Sequence, residues 1–165
     1  METFSGKTVA ITGGATGIGF ALARRLGAEG ANVVIGEPRQ NQLDEAAERL
    51  SNAGVAVTTM VMDVSDPSSM EAFADCAWNA FGSVHLLINN AGISIGRNRV
   101  TDTPLEDLHK LFDVNLFGVW HGVASFGRRM VEQGEPAAIY NLGSENSFFT
   151  AVPQSAAYVA SKHAV

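Results

Sequence analysis

The sequence has little cysteine, little positive charge and no long apolar run, and each shortage excludes a class of protein. One cysteine, Cys76, in 165 residues excludes an internal disulfide framework and fits a reducing compartment. Eleven lysines and arginines against 17 acidic residues give a net charge of −6, which argues against nucleic acid or an anionic membrane as a partner. No apolar run approaches the roughly 18–20 residues of a membrane span. The N-terminal stretch "METFSGKTVAIT" lacks the basic and apolar regions of a signal peptide, so a cytoplasmic location is expected.

What the sequence does contain is an alternation of short β-branched runs with longer amphipathic stretches. Strands are predicted at 7–12, 31–36, 55–64, 84–92 and 137–144. Helices are predicted at 17–30, 40–54, 65–82 and 103–134, with a last one beginning in "SAAYVASKHAV". Strands that alternate with helices over short connections predict an α/β fold with a doubly wound, Rossmann-like parallel sheet. No linker or internal repeat interrupts the pattern, so residues 1–165 are expected to form a single domain.

Two of the helices have predicted starting signals. Asp66 is a plausible N-cap, and Pro67 follows it at the first helical position. Thr103 and Glu106 stand three residues apart, in the register of a capping box, at the start of the long predicted helix 103–134.

A glycine-rich stretch, "TGGATGIG" at residues 12–19, lies where the first strand meets the first helix. Glycines there allow a tight turn and a close approach of the backbone to a pyrophosphate, whose charge is favoured at a helix N-terminus. A tight turn without a ligand is the alternative, but a strand–turn–helix position is the context that a dinucleotide site requires. The candidate cofactor-binding residues of this stretch are Gly13, Ala15, Thr16, Gly17, Ile18 and Gly19.

The spacing of these glycines, G-x-x-x-G-x-G after Thr12, resembles that of the short-chain dehydrogenase/reductase family. Further motifs of that family follow in order: "NNAG" at 89–92, Asn115 in "DVNLFG", Ser144 at the end of "YNLGS", and Tyr158-x-x-x-Lys162. The resemblance covers all 165 residues. It implies an oxidoreductase that transfers a hydride between NAD or NADP and a secondary alcohol or ketone.

Tyr158 and Lys162 are the candidate acid/base pair. Hydride transfer to a carbonyl needs a proton donor for the nascent alkoxide, and the reverse reaction needs a base. Residues four apart lie on one helical face, and a lysine ammonium there favours the phenolate form of a tyrosine. The resemblance also implies that Lys162 binds the nicotinamide ribose. Without the other motifs, a surface Tyr and Lys on an amphipathic helix would be the simpler interpretation.

Ser144 is the candidate for orienting the substrate carbonyl. It ends a predicted buried strand, and ligands of open α/β sheets bind at the carboxyl ends of the strands. A serine that merely terminates the strand is the alternative. The gap from Ser144 to Tyr158 is one residue longer than the usual family spacing, which makes Ser147 a second, weaker candidate. Apolar side chains in the connecting loop hint at an apolar pocket wall: Phe148, Phe149 and Val152.

Asn115 falls on a helical stripe of apolar residues, Leu108, Phe112, Val119 and Val123. An amide on an inward face must find partners or cost about 1–3 kcal/mol. It is therefore either a structural amide or, as the resemblance implies, a catalytic residue that holds a water behind Lys162.

Cofactor choice depends on Glu37, at the end of the second predicted strand. A carboxylate there accepts hydrogen bonds from the adenosine ribose and repels a 2′-phosphate, so NAD is favoured, with NADP not excluded. Relatives that prefer NADP often carry a basic residue where Thr16 and Pro38 stand here. Arg39 complicates the choice, because it could approach a phosphate or stack on adenine.

By resemblance, Asp63 and Val64 contact the adenine and Asn90 contacts a ribose. For Asp63 the alternative is an N-cap of the helix that follows. The four histidines, at positions 85, 109, 121 and 163, lack metal-ligand spacing, and no metal site is predicted.

The expected partners are a small alcohol or ketone and further copies of the chain. The resemblance implies a homo-dimer or homo-tetramer that pairs through the helices bearing Asn115 and Tyr158. It also implies further C-terminal strands and a substrate lid that these 165 residues do not contain, so the domain is expected to be C-terminally incomplete. The alternatives are a non-catalytic dinucleotide-binding module, an inactive fragment and, less favoured by the glycine spacing, an epimerase or dehydratase.

Overall fold

The computed structural model describes residues 4–149 and 153–165. Its five strands are β1 (Thr8–Thr12), β2 (Asn32–Glu37), β3 (Val57–Val61), β4 (Leu86–Asn89) and β5 (Ala138–Asn141). Its six α-helices are α1 (Gly17–Ala28), α2 (Gln40–Asn52), α3 (Pro67–Phe81), α4 (Leu105–Phe112), α5 (Gly118–Glu132) and α6 (Ala156–His163). The strands form one parallel sheet in the order β3-β2-β1-β4-β5. The predicted doubly wound, Rossmann-like sheet in a single domain is confirmed.

The alternation of side chains along the central strands divides the core into two layers. Val9 and Ile11 of β1 face α1 and α2, where they belong to one core cluster with Leu43 and Leu50 of α2. Ala10 of β1 faces the opposite side, where α3 and α5 contribute the second layer. All five residues of β1 are buried, because helices cover the sheet on both faces. The sheet is thus held rigidly enough to position the loops at its carboxyl edge.

The predicted strands 84–92 and 137–144 are shorter in the structure than in the sequence pattern. The ladder between β4 and β5 ends at Asn89 and Asn141. The residues that follow, 90–92 and 142–144, leave the sheet and form loops at its carboxyl edge. The sequence pattern therefore overestimated the lengths of these two strands, because the polar residues that follow them form loops beside the site.

The long helix predicted over 103–134 is confirmed as continuous helical structure from Leu105 to Glu132, but it is not α-helical throughout. The structure has α4 and α5 joined by one π-helical turn, Asp113–Phe117, with Asn115 inside it. A π turn takes up one more residue than an α turn, so it rotates the faces of the two helices relative to each other. The buried positions are Leu111, Asn115, Gly118, Val119, Gly122, Ser125, Phe126 and Met130. On the predicted stripe Asn115 and Val119 are therefore buried, whereas Leu108, Phe112 and Val123 are not.

One predicted helix start is confirmed and the other is wrong. Asp66 caps α3 by accepting a hydrogen bond from the Ser68 backbone N–H at 2.9 Å, and Pro67 is the first helical residue. The capping box at Thr103 does not form, because α4 begins after Pro104. The Thr103 hydroxyl instead donates to the Arg99 carbonyl at 2.9 Å.

Within residues 4–149 and 153–165, none of the helices combines the length and the apolar character needed to cross a membrane.

Candidate active site

A cleft of about 890 Å³ opens at the carboxyl edge of the sheet. It lies beside the ends of β1 and β4, where the strand order reverses and where open α/β sheets bind their ligands. Most of the predicted site residues line it: Gly13, Thr16, Gly17, Ile18, Glu37, Asp63, Val64, Asn90, Ser144, Tyr158 and Lys162. Ala15, Gly19 and Asn115 do not line the cleft.

The glycine-rich loop presents open backbone to the cleft. Gly17 adopts a positive φ of +53°, and a β-carbon at that position would meet no atom within 4 Å. Thr16 is the N-cap of α1, but its side chain makes no capping hydrogen bond, so the first N–H groups of the helix remain available. Ile18 is 60% exposed on the cleft side of the same turn. This cradle fits the pyrophosphate of a dinucleotide.

Gly19 lies beneath the loop, and Ala15 is likewise buried. A β-carbon on Gly19 would overlap the Gly13 carbonyl and stand 2.6 Å from Asn90 Nδ2. Gly19 is needed for this close packing.

Asn90 ties the glycine-rich loop to the end of β4. Its Nδ2 donates to the carbonyls of Thr12 at 2.9 Å and Gly13 at 3.0 Å. The Thr12 hydroxyl oxygen accepts from the backbone N–H groups of Asn90 and Ala91, both at 3.1 Å. Asn90 therefore holds the loop with the side-chain amide that was predicted to contact the ribose. The bridging role of Thr12 was missed, although its place before the first glycine was visible in the sequence.

At the far end of the cleft, Glu37 is a buried carboxylate, only 3% exposed, at the last position of β2. Its Oε1 accepts a hydrogen bond from Arg39 Nε at 2.6 Å. Arg39 itself is more than half exposed and also lines the cleft. The guanidinium therefore holds the carboxylate in place beside the space that an adenosine ribose would take.

Asp63 and Val64 line the same cleft as Glu37. Asp63 Oδ1 accepts from the backbone and hydroxyl of Ser65, at 2.9 and 2.7 Å. The alternative in which Asp63 caps α3 is wrong, because Asp66 does so. Val64 packs against Gly118, where an added β-carbon would lie 2.7 Å from Val64 Cγ2.

Lys162 is buried, at 5% exposed, with its Nζ donating to the Leu142 carbonyl at 2.9 Å. Burial lowers the pKa of this ammonium, because removal from water disfavours the charged form. Tyr158 is half-buried one helical turn earlier on α6, and both side chains line the cleft.

Asn115 is fully buried, and its amide joins the loop after β4 to α6. Its Oδ1 accepts from the Ile93 backbone N–H at 2.8 Å. Its Nδ2 donates to the Ile93 carbonyl and to Ser161 Oγ, both at 3.0 Å. Gly92 separates it from Lys162, since a β-carbon on Gly92 would lie 3.4 Å from Asn115 Oδ1 and 3.5 Å from Lys162 Nζ. The amide therefore finds all of these partners within the protein.

The two candidate serines differ in what their hydroxyls do. Ser147 Oγ donates to the Lys162 carbonyl at 2.6 Å and accepts from the Ser144 backbone N–H at 3.2 Å. Ser144 Oγ accepts from the Asn146 backbone N–H at 3.2 Å, and it lines the cleft. A hydroxyl that only accepts keeps its proton to donate to a carbonyl oxygen. Ser144 is thus the better placed of the two.

The predicted apolar pocket wall is wrong for two of its three residues. Phe148 is 81% exposed and Phe149 is 70% exposed, and neither lines the cleft. The third residue, Val152, lies outside the described residues. Among the described residues, no three His, Cys, Asp or Glu side chains come close enough together to hold a metal ion.

Comparisons with known proteins agree with this geometry. The family model "short chain dehydrogenase" matches residues 7–165. The chain is 36% identical over 160 residues to the 1-deoxy-11-beta-hydroxypentalenate dehydrogenase of Streptomyces avermitilis, covering 96% of this chain and 58% of that protein. It is 37% identical to the NADP-dependent (R)-specific alcohol dehydrogenase of Lentilactobacillus kefiri, covering 99% of this chain and 64% of the relative.

Among solved structures, a short-chain dehydrogenase/reductase from Burkholderia phymatum in complex with NAD superposes with a TM-score of 0.95. It is 37% identical, and the match covers 99% of this chain and 58% of that one. The chain therefore spans about 58% of the length of the first of these relatives and of this structure.

Proposed function

The chain belongs to the short-chain dehydrogenase family, and from this premise we propose that the protein is an NAD(P)-dependent oxidoreductase that interconverts a secondary alcohol and a ketone. One observation supports the proposal above all. Tyr158, Lys162 and Ser144 line the same cleft as the open backbone of Gly17 and the buried carboxylate of Glu37. A dinucleotide held along the loop would thus lie beside an acid/base group.

The bound nicotinamide would supply the chemistry of hydride acceptance or donation. In the direction of alcohol oxidation, the substrate would give up a hydride from its carbinol carbon and a proton from its hydroxyl, and a C=O bond would form. The hydroxyl proton goes to the Tyr158 oxygen. In the direction of reduction, the Tyr158 hydroxyl would return that proton to the nascent alkoxide.

Ser144 and Lys162 support this proton transfer from either side. The Ser144 hydroxyl would donate to the substrate oxygen and align it with Tyr158. Lys162 carries its ammonium one helical turn from the phenol, where positive charge favours the phenolate. Asn115 acts as a positioning residue, because it braces the loop after β4 against the helix that bears both side chains.

The proposed cofactor is NAD. Glu37 can accept hydrogen bonds from both ribose hydroxyls, and its charge would repel a 2′-phosphate. The ion pair between Arg39 and Glu37 holds the Arg39 guanidinium on the carboxylate. The named relatives and structures include users of either cofactor: the Lentilactobacillus kefiri enzyme is NADP-dependent, and the Burkholderia phymatum structure contains NAD.

Glu37→Gln is expected to shift the ratio of the NADPH and NADH dissociation constants by about 10- to 100-fold towards NADPH, since it removes the repulsion and releases Arg39. Fluorescence titration of either cofactor measures the ratio without turnover. In the double variant Glu37→Gln/Arg39→Gln, the gain in NADPH affinity should disappear. A wild-type protein that binds NADPH more tightly than NADH would contradict the assignment.

The function itself is tested by ketone-dependent oxidation of NADH, using the protein in its natural full length and a panel of ketones and secondary alcohols. Turnover with at least one pair, reversible with NAD, is the expected result. Tight NADH binding without turnover of any pair would instead support the non-catalytic dinucleotide-binding module.

We also propose a homo-oligomer, a dimer or a tetramer. The outer face of the π turn and α5 exposes Phe117 (50%) and Trp120 (72%), which a second copy could cover. Light scattering of the full-length protein checks this, and a monomeric mass at micromolar concentration would contradict it.

A further inference from the structure

A second, smaller cavity of about 240 Å³ adjoins the cleft at Tyr158 and Ser94, which line both. Its walls come from the loop after β4, which includes Arg97 and Asn98, and from the start of α6. The Asn98 backbone N–H donates to the Gln154 carbonyl at 3.0 Å and so joins the two walls. A group bound here would reach the Tyr158 side chain directly.

The lining of this cavity combines polar side chains with the apolar side chains of Ile95 and Ala157. Asn98, Asn146 and Gln154 contribute amide side chains. Ser94 and Thr103 contribute hydroxyls whose protons go to backbone carbonyls at 3.2 and 2.9 Å. The amides can donate hydrogen bonds to a ligand, whereas these two hydroxyls can only accept them.

The charge of the cavity lining narrows the class of ligand further. Arg97 is the single charged residue among those that line the cavity, and no acidic residue lines it. Five other arginines of the described residues pair with carboxylates, at positions 25, 39, 49, 128 and 129. In the same residues Arg24 and Arg99 make no such pair, but neither of them lines the cavity or the cleft. Arg97 has no such partner within the described part of the chain. In a protein with 17 acidic and 11 basic residues, this leaves a positive charge uncompensated beside the reacting centre.

Resting on the proposed function, we infer that the substrate carries an oxyanion, a carboxylate or a phosphate, that binds Arg97 while its hydroxyl or ketone lies between Ser144 and Tyr158. A guanidinium presents paired N–H donors that match the two oxygens of a carboxylate or phosphate. The amides of Asn98 and Gln154 complete the polar surroundings. The substrate class is thus a small hydroxy acid or oxo acid, or its phosphorylated counterpart.

The experiment compares 4-oxopentanoate with its methyl ester, which keeps the ketone and removes the charge. Isothermal titration into the full-length protein saturated with NAD, which has no hydride to give to the ketone, measures both dissociation constants without turnover. Inorganic phosphate is titrated in a third series to distinguish the two oxyanion sources. The wild type is expected to bind at least one of the two anions about 10- to 100-fold more tightly than the ester.

Arg97→Gln should remove that preference and leave ester binding within about threefold, since one charge-assisted interaction is lost. Arg99→Gln is the matched control, because Arg99 is exposed two residues away and lines neither cavity; both affinities should stay unchanged. Equal wild-type binding of acid and ester with no phosphate binding, or equal losses for acid and ester in Arg97→Gln, would overturn the inference.

The two proposals fail in different ways. Ketone turnover that is indifferent to substrate charge and to Arg97→Gln would keep the proposed function and overturn the oxyanion site. Anion binding that depends on Arg97, without turnover of any ketone, would keep the site and contradict the oxidoreductase.

Discussion

Tyr158→Phe is expected to lower kcat by about 10²- to 10⁴-fold, the usual contribution of a positioned acid/base group. The variant removes one oxygen and leaves the ring, so α6 should keep its packing and the cleft its shape. Because the phenol would act on the substrate oxygen, NADH affinity should stay within a few-fold of the wild type. Steady-state kinetics and fluorescence titration measure the two effects separately.

The chain offers a matched control for this variant in its other tyrosine. Tyr140 lies on β5 and is 57% exposed, away from both cavities. Tyr140→Phe should leave kcat unchanged within about twofold. If Tyr158→Phe retained more than a tenth of wild-type turnover, another group would have to supply the proton, and the assignment of Tyr158 would be wrong.

Asn115→Leu is expected to lower the free energy of unfolding by about 2–4 kcal/mol. Leucine is similar in size but cannot pair with Ile93 or Ser161, and each buried polar group left unpaired costs about 1–3 kcal/mol. For a domain of this size, a loss of that order lowers Tm by roughly 4–16 °C. Thermal or urea unfolding measures it.

Asn52→Leu is the control for a generic effect of the substitution, because Asn52 is exposed at the end of α2. Its effect should stay within about 0.5 kcal/mol. A loss at Asn115 no larger than this would mean that the π turn does not depend on the amide. An unchanged Tm with a large loss of kcat would favour the water-holding role implied by the family resemblance.

The sequence was most informative where structure depends on near neighbours. The buried strand β1, the cap at Asp66 and the glycine-rich turn each follow from residues within a few positions of one another. The failures share the opposite property. The π turn at Asn115 exists where the amide meets Ile93, 22 residues earlier, and Ser161, 46 residues later. The spacing of apolar residues along a helix carries no information about partners that are so distant in sequence.

The same distinction applies to the site. Sequence motifs identified the side chains that line the cleft, because the glycines, Glu37, Ser144, Tyr158 and Lys162 follow strand ends or share a helical turn. They could not tell that the Ser147 hydroxyl is committed to the Lys162 carbonyl, which the folding of the loop after β5 brings within 2.6 Å.

By itself, the sequence determined the order of strands and helices, the loop that fits a dinucleotide, and the residue types for acid/base chemistry. Only the tertiary structure decided that Arg39 pairs with Glu37, which serine proton is free, and that a second cavity, lined by Arg97, adjoins Tyr158. The physical reason is that a residue type and its local spacing set which interactions are available. Packing between segments that are distant in sequence decides which partner each side chain meets, how deeply it is buried and which charge stays unpaired.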